Sequence, residues 1–350
     1  MTSDKPATIE MKAALKSGRP RLKDIAFLSG MSITTVSKAL NDAADISGKT
    51  KQRVQAIAKQ IGYRPNRAGI RLRTGKTNVI CLILNTEEGA MGMTSPLVNG
   101  ISDIIGTTNY HLVVKPYDLS QDPLEAVKYV VETGAADGII MSRTEPNDNR
   151  VKYLNDAGFP FVSHGRTDMG IEHAYYDFDN GSYAKLAVQY LINRGRKNIG
   201  LISPPDSLTF ARHMNSGFIS ELENHSMLEI PIRNISIDSS FDEMMAEIER
   251  IMRSKHPLDG IVCASANSAI AAISAVELVG LTMAKDVDLV AKESFELLNR
   301  FRPNLYVIPE NFRTAGRHLL KMILAIIDGE DPAKHQILEA PIAASPPSKS

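Results

Sequence analysis

The 350-residue chain has no tryptophan and only two cysteines, and aromatic residues make up 6% of it. Cys81 and Cys263 lie far apart in apolar, strand-like runs. That excludes a disulfide framework and leaves two buried, reduced thiols as the expectation, in keeping with a cytosolic protein. No apolar run reaches the length of about eighteen residues that a membrane helix needs. The first twenty residues, MTSDKPATIEMKAALKSGRP, have no apolar segment and do not read as a signal peptide. Catalytic signatures are also missing: there is no GxSxG, no P-loop, no HExxH and no CxxC. The eight histidines, His164 and His173 among them, show no metal-ligand spacing. Neither an enzyme, nor a metal site, nor a cofactor is expected.

Net charge is absent too, but only on average. Residues 1–76 hold sixteen lysines and arginines against five acidic residues, a net +11, so the rest of the neutral chain carries −11. A basic head on an acidic body points to a polyanion partner for the head. Hydrophobic residues are 43% of the chain, enough for two or three cores at this length.

Within the head, Leu22–Leu28 reads as a short helix stopped at Ser29-Gly30, where glycine suits a left-handed turn. Ser32 is a good N-cap for a second helix, Ile33 to Leu40. Val36 and Leu40 can face the first helix, which leaves Ile33, Thr34, Ser37 and Lys38 outward. A third helix, Thr50 to Ile61, places Val54, Ile57, Ala58 and Ile61 on one stripe and can close a three-helix core. Two short helices joined by a glycine turn form a helix-turn-helix, whose second helix enters the major groove of DNA.

The stretch LKDIAFLSGMSITTVSKALN, followed by IGYRPNRAGIRLRTGKT, closely resembles the DNA-binding head and hinge of LacI/GalR repressors over residues 20–77. The resemblance implies that Ile33, Thr34 and Lys38 read base edges. Lysine can donate to guanine O6 and N7, and threonine can hydrogen-bond or touch a thymine methyl. It implies that Ser32, Thr35, Ser37, Asn41, Tyr63 and Asn66 position phosphates, although Thr35 and Ser37 also suit capping and packing. The segment after Pro65 corresponds to a hinge helix that orders on operator DNA. Gly69 and Arg73 belong to it, and Leu72 stands where relatives insert an apolar wedge into the minor groove; it also suits an ordinary linker leucine. Gly69 replaces the alanine expected there, which costs a helix about 1 kcal/mol.

From Asn78 onward strands alternate with helices. The strand candidates are 79–84, 111–117, 137–142, 159–164, 198–203, 232–237, 259–265, 287–292 and 305–309, with helical patterns at 95–106, 122–133, 148–157, 180–194, 209–224, 240–254, 267–279 and 312–327. Such alternation means parallel sheets covered on both faces. A second series starts after Arg194-Gly195-Arg196-Lys197, which suggests two similar lobes around a cleft. The expected fold is thus an all-α head with a hinge helix (65–77) on a two-lobed α/β core, similar to the periplasmic-binding-protein-like core of the same family. The lobes are expected at about 78–195 with 308–333, and 197–305 with 335–342, between flexible ends at 1–19 and 343–350.

Ligands of open α/β sheets sit outside the carboxyl ends of strands. That rule singles out Ser95, Arg143, His164, Arg166 and Asp179, the last also suited to capping the next helix. Phe178 suits either a sugar ring or the core. The resemblance places Arg212 on an effector, with a lobe–lobe salt bridge as its alternative. Two departures from the family stand out: Ser265-Ala266 where many relatives have Asn-Asp, and Ala291-Lys292-Glu293-Ser294 where many have Gly-aromatic-Asp-Asp. Both places line the effector cleft in relatives. Lys292 can hold an acidic ligand or pair with Glu293. The chain is expected to be a cytoplasmic regulator, nucleoid-associated when on DNA, most simply a repressor. Its expected partners are a palindromic operator in double-stranded DNA, a second copy of itself and a sugar-like effector, with a nucleobase or small acid as alternatives; no membrane partner is expected. A ligand-binding protein without regulatory role is the competing class, and the basic head argues against it.

Overall fold

The computed structural model describes residues 20–63, 71, 75–85, 91–293 and 297–343. The chain divides into two compact units at Thr77/Asn78.

The first unit contains α1 (Leu22–Ser29), α2 (Ile33–Leu40) and α3 (Gly48–Ile61). Gly30 and Gly62 end α1 and α3 in the left-handed region, with φ of 68° at both, a conformation that glycine adopts without a Cβ penalty. Ser32 and Ser47 cap α2 and α3 through their hydroxyls, accepting from Thr35 N and Thr50 N. Ile25, Val36, Ala39 and Val54 form the buried centre, with Leu40, Ile57 and Ile61 packed around it. The expected helix-turn-helix and its apolar stripe are thus present, with α3 beginning two residues earlier.

The second unit holds two parallel sheets. In chain order its elements are β1 (Val79–Asn85), α4 (Met91–Ile105), β2 (His111–Tyr117), α5 (Pro123–Glu132), β3 (Gly138–Ser142), α6 (Asn149–Asp156), β4 (Phe161–His164), β5 (Ala174–Phe178) and α7 (Asn180–Asn193). They continue as β6 (Ile199–Ile202), α8 (Thr209–Asn224), α9 (Phe241–Met252), β7 (Gly260–Cys263), α10 (Ala266–Leu278), β8 (Asp288–Glu293), α11 (Leu297–Phe301), β9 (Tyr306–Pro309), α12 (Phe312–Ile327) and β10 (Gln336–Glu339). One sheet has the order β10-β5-β4-β3-β1-β2 and the other β6-β7-β8-β9. The central strands are buried along their length, apart from Val79 at the start of β1, as strands covered on both faces must be. Cys81 and Cys263 are buried free thiols.

The lobe boundaries differ from those read in the sequence. The first crossing lies at Asp179, because α7 packs with α8 in the core of the second lobe, and not at residue 195. The return lies at Glu310-Asn311, since β9 pairs with β8. Residues 335–342 do not join the second lobe: β10 pairs in parallel with β5, Gln336 opposite Tyr175 through Glu339 opposite Phe178. Neither of these two short strands was anticipated. The expected strand at 232–237 is a loop instead. Its apolar residues Ile232, Ile235 and Ile237 pack against the lobe core, so their alternation reflects burial and not ladder pairing.

Glycines set how closely the helices approach. A Cβ on Gly217 in α8 would stand 2.3 Å from the Gly181 carbonyl oxygen in α7, and one on Gly100 in α4 would stand 2.0 Å from that of Arg313 in α12. Helix α7 starts with Asn180, a wall of the cavity described next.

Candidate functional site

In the head, the outward face of α2 is as the sequence implied. Ile33 is 52% exposed although apolar, and Thr34 and Lys38 are exposed beside it. Thr35 is committed to the cap, its hydroxyl 2.9 Å from that of Ser32. Asn41 turns back on the helix and donates to Ser37 O at 2.6 Å. Tyr63 is half-buried against the three-helix core, and that burial raises its phenol pKa. Lys38 Nζ lies 2.5 Å from a carboxylate oxygen of Asp45 in the loop that follows. Asn66, Gly69, Leu72 and Arg73 lie outside the described residues.

Between the lobes is a cavity of about 930 Å³, its open mouth included. It lies at the carboxyl ends of the strands, as in other open α/β sheets. Of the ten effector residues chosen from the sequence, five line it: Arg143, His164, Ser265, Lys292 and Glu293. Arg143 follows β3 with a left-handed backbone, φ 58°. Buried Arg150 holds that turn by donating to the carbonyls of Ser142 at 3.2 Å and Arg143 at 2.8 Å. The Arg143 guanidinium crosses the cleft to grip both carboxylate oxygens of Asp238. Ser265 caps α10 by accepting from Ser268 N.

Lys292 is nearly buried. Its Nζ lies 2.7 Å from Glu310 Oε2 and donates to Asn180 Oδ1 at 2.9 Å. The rings of Phe178 and Phe210 stand 5.3 and 5.5 Å away, so cation–π attraction supports the same pose. The partner of Lys292 is therefore Glu310 and not Glu293. Glu293 Oε1 instead accepts from the backbone N–H groups of Leu297 and Leu298 at the start of α11, at 2.6 and 2.8 Å.

The other five sequence candidates lie elsewhere. Ser95 is exposed on α4, and Gly92 and Met93 reach the cavity in its place. Phe178 is a core aromatic, 1% exposed. Asp179 caps α7, accepting from Ser182 N and Oγ. Arg166 stands behind the wall, its Nε 3.4 Å from Asp177 Oδ2. Arg212 is 60% exposed and 3.8 Å from Asp168 across the cleft mouth, which is its salt-bridge alternative. The sequence reading missed Asp177, Phe210, Glu310 and Phe312, all cavity-lining. Asp177 and Glu310 carried a usable signal, as lone carboxylates at the carboxyl ends of apolar strands.

Four lining atoms lack a hydrogen bond within the protein: His164 Nε2, Asp177 Oδ2, Glu293 Oε2 and Glu310 Oε2, the last of them paired as an ion with Lys292. Burial keeps His164 below its ordinary pKa, and Glu310, 4.0 Å away, only partly offsets this, so the ring is neutral near neutral pH. Burial pushes the Asp177 carboxyl up to about 7, with Glu310 adding to the shift and Arg166 opposing it. An acid whose folded pKa is raised retains its proton after the unfolded chain has lost its own. Stability therefore falls as pH rises from about 4 to 7 and then levels off. Asp177→Asn is expected to flatten that part of the profile and to raise the melting temperature at pH 8, as read by thermal unfolding from pH 4 to 8. An unchanged pH profile would assign the fall to other groups.

No helix among the described residues is long and apolar enough to cross a membrane. The described residues hold no cluster of His, Cys, Asp and Glu able to bind a metal.

A head with an exposed recognition helix, joined to a two-lobed parallel α/β core around a polar cavity, is the architecture of a ligand-controlled DNA-binding regulator. Residues 21–66 match the model of the bacterial regulatory proteins of the lacI family, and residues 188–344 match that of the periplasmic binding protein-like domain. The chain is 30% identical to the transcriptional regulator RafR of Escherichia coli over 325 residues, 92% of this chain and 96% of that one. It is 28% identical to AglR of Rhizobium meliloti (strain 1021) over 315 residues, 87% of this chain and 86% of the relative. The chain belongs to the LacI family of transcriptional regulators and is not an enzyme. Among solved structures, the lac repressor dimer bound to operator and an anti-inducer has a TM-score of 0.81 at 21% identity, covering 94% of this chain and 99% of that one. The CelR–cellobiose complex has a TM-score of 0.68 at 21% identity, covering 95% and 100%.

Proposed function

We propose that this regulator is a cytoplasmic repressor that binds a near-palindromic operator as a homodimer and responds to a neutral, polyhydroxylated effector of sugar type in the interlobe cavity. The observation that carries the effector class is the state of the polar walls. Both cations among the described lining residues are already paired, Arg143 with Asp238 and Lys292 with Glu310. The lining atoms left without hydrogen bonds are a neutral imidazole nitrogen and carboxyl oxygens of Asp177, Glu293 and Glu310, the last beside the Lys292 ammonium. The Glu293 carboxylate accepts hydrogen bonds and repels anions, and the Asp177 carboxyl, with its pKa raised to about 7, can accept or donate, so the pair suits a neutral ligand rich in hydroxyls. Phe210 and Phe312 add apolar faces for the C–H side of a ring. The small-acid alternative loses its support with Lys292 taken.

Similarity gives the reading its context. CelR is a relative solved with cellobiose, and the lac repressor is a dimer on its operator. Helix-turn-helix pairs read two half-sites related by the dimer axis.

The test is a thermal-shift screen of the full-length chain against neutral mono- and disaccharides, polyols, sugar acids, sugar phosphates and nucleobases. A neutral saccharide is expected to raise the melting temperature and to change affinity for a DNA site selected from a random duplex pool. A shift from sugar acids or nucleobases, with none from neutral sugars, would overturn the effector class.

A further inference from the structure

We propose that Asp45 is a specificity-determining residue of the DNA-binding head: it occupies the Lys38 ammonium so that this lysine is released to a base edge more readily than to a phosphate. The proposal rests on the reading of Lys38 as a base-contacting residue.

Lys38 lies in the last turn of α2, on its exposed face, and Asp45 lies seven residues on, in the loop before α3. Their side chains meet at 2.5 Å, and both are about half exposed. That loop is anchored. Ala43 N donates to Lys38 O at 3.0 Å. Lys51 grips Asp42 twice, at its carboxylate at 2.8 Å and its carbonyl at 3.1 Å. Ile46 packs on the head core. Asp45 is thus held beside the reading face and does not simply follow Lys38 about. The bond to Lys38 also depresses the Asp45 pKa, so the carboxylate stays charged.

An exposed ion pair of this kind contributes little to stability, and its consequences fall on binding. A lysine engaged by a carboxylate is a neutral pair to an approaching duplex. Non-specific binding is made chiefly through phosphates, and the same carboxylate repels them. At a guanine edge, O6 and N7 offer two acceptors away from the phosphate chain, and an ammonium with three donors can keep one on Asp45 while giving others to the base. Asp45 therefore penalises non-specific contacts more than the correct one.

The experiment uses the full-length chain with two probes: a site selected by the parent protein from a random duplex pool, and a mixed-sequence duplex of the same length. Asp45→Asn is expected to tighten binding to the mixed duplex by about tenfold and to the selected site by about twofold or less, narrowing the gap between specific and non-specific affinity. Its log–log salt slope on the mixed duplex should steepen by about one, one more phosphate neutralised. Asp45→Glu should retain the parent slope. In a Lys38→Ala background, Asp45→Asn should change neither ratio nor slope. Equal changes on both probes, or an effect that persists without Lys38, would overturn the proposal. Should Lys38→Ala by itself leave selected-site binding and base preference untouched, the base-reading role falls and the proposal falls with it. A melting temperature unchanged in Asp45→Asn separates these outcomes from simple unfolding.

Discussion

Lys292→Met is expected to lower the melting temperature of the protein by roughly 6–12 °C and to abolish the effector response. Methionine matches the length of the stem but leaves Glu310, 4% exposed, without the ammonium that lies 2.7 Å away. Removing one member of a buried pair costs about 3 kcal/mol or more because the other charge stays buried and uncompensated. In a core of this size each kcal/mol moves the melting temperature by about 2–4 °C. Asn180 loses its donor as well, so the start of α7 loosens along with the cavity wall. The pair variant Lys292→Met with Glu310→Gln should recover more than half of the lost stability, since both buried charges then go together. It should not recover the effector response. Calorimetry of the two single variants and the pair measures this coupling. Additive losses would mean that Lys292 and Glu310 do not stabilise each other.

Gly217→Ala should be almost as damaging, although it adds one methyl group. The new Cβ would lie 2.3 Å from the Gly181 carbonyl oxygen, and the other atoms it meets, Gly181 C and Cα, are backbone too. No side chain can rotate away, so α8 must move off α7. Overpacking of this kind costs about 1–3 kcal/mol. The displacement falls on the helix pair that carries Asn180 and Phe210 into the cavity. A several-fold weaker effector midpoint is therefore expected along with a lower melting temperature, while DNA binding without effector stays close to that of the parent. Ser216→Ala, one residue away and exposed, is the control and should change neither. Wild-type midpoints in Gly217→Ala would show that the helix pair tolerates separation without distorting the site.

Much of the head was legible in the sequence because its signals are local. A capping serine three residues ahead of Thr35 N, a glycine at each left-handed terminus and apolar residues at helical spacing act within one or two turns. The alternating strands and helices of the core were equally readable, since a strand buried on both faces shows as a continuous apolar run. The edge was harder. β10 has the burial pattern of a half-exposed strand, and its place beside β5 is set by a partner about 160 residues earlier. The loop at 232–237 misled for the opposite reason, because its isoleucines pack on the lobe core without forming a strand ladder.

The cavity shows the same division. Strand-end position was enough to mark Arg143 and His164, since the end of a strand is a local property, and departure from the family pattern marked Lys292 and Glu293. Which of these are spoken for depends on residues far away: Arg143 meets Asp238 and Lys292 meets Glu310 and Asn180. Arg212 and Lys292 looked alike as free cations, yet one is a surface residue by Asp168 and the other is buried under two phenylalanine rings.

By itself the sequence determined the class of the protein, a basic helix-turn-helix head on an acidic two-lobed α/β core, because periodicity, capping and charge are written residue by residue along the chain. The tertiary structure alone decided the chemistry of the cavity. Long-range pairing consumes its cations and leaves buried acceptors open, and whether a charge is free or compensated is a property of neighbours brought together by folding.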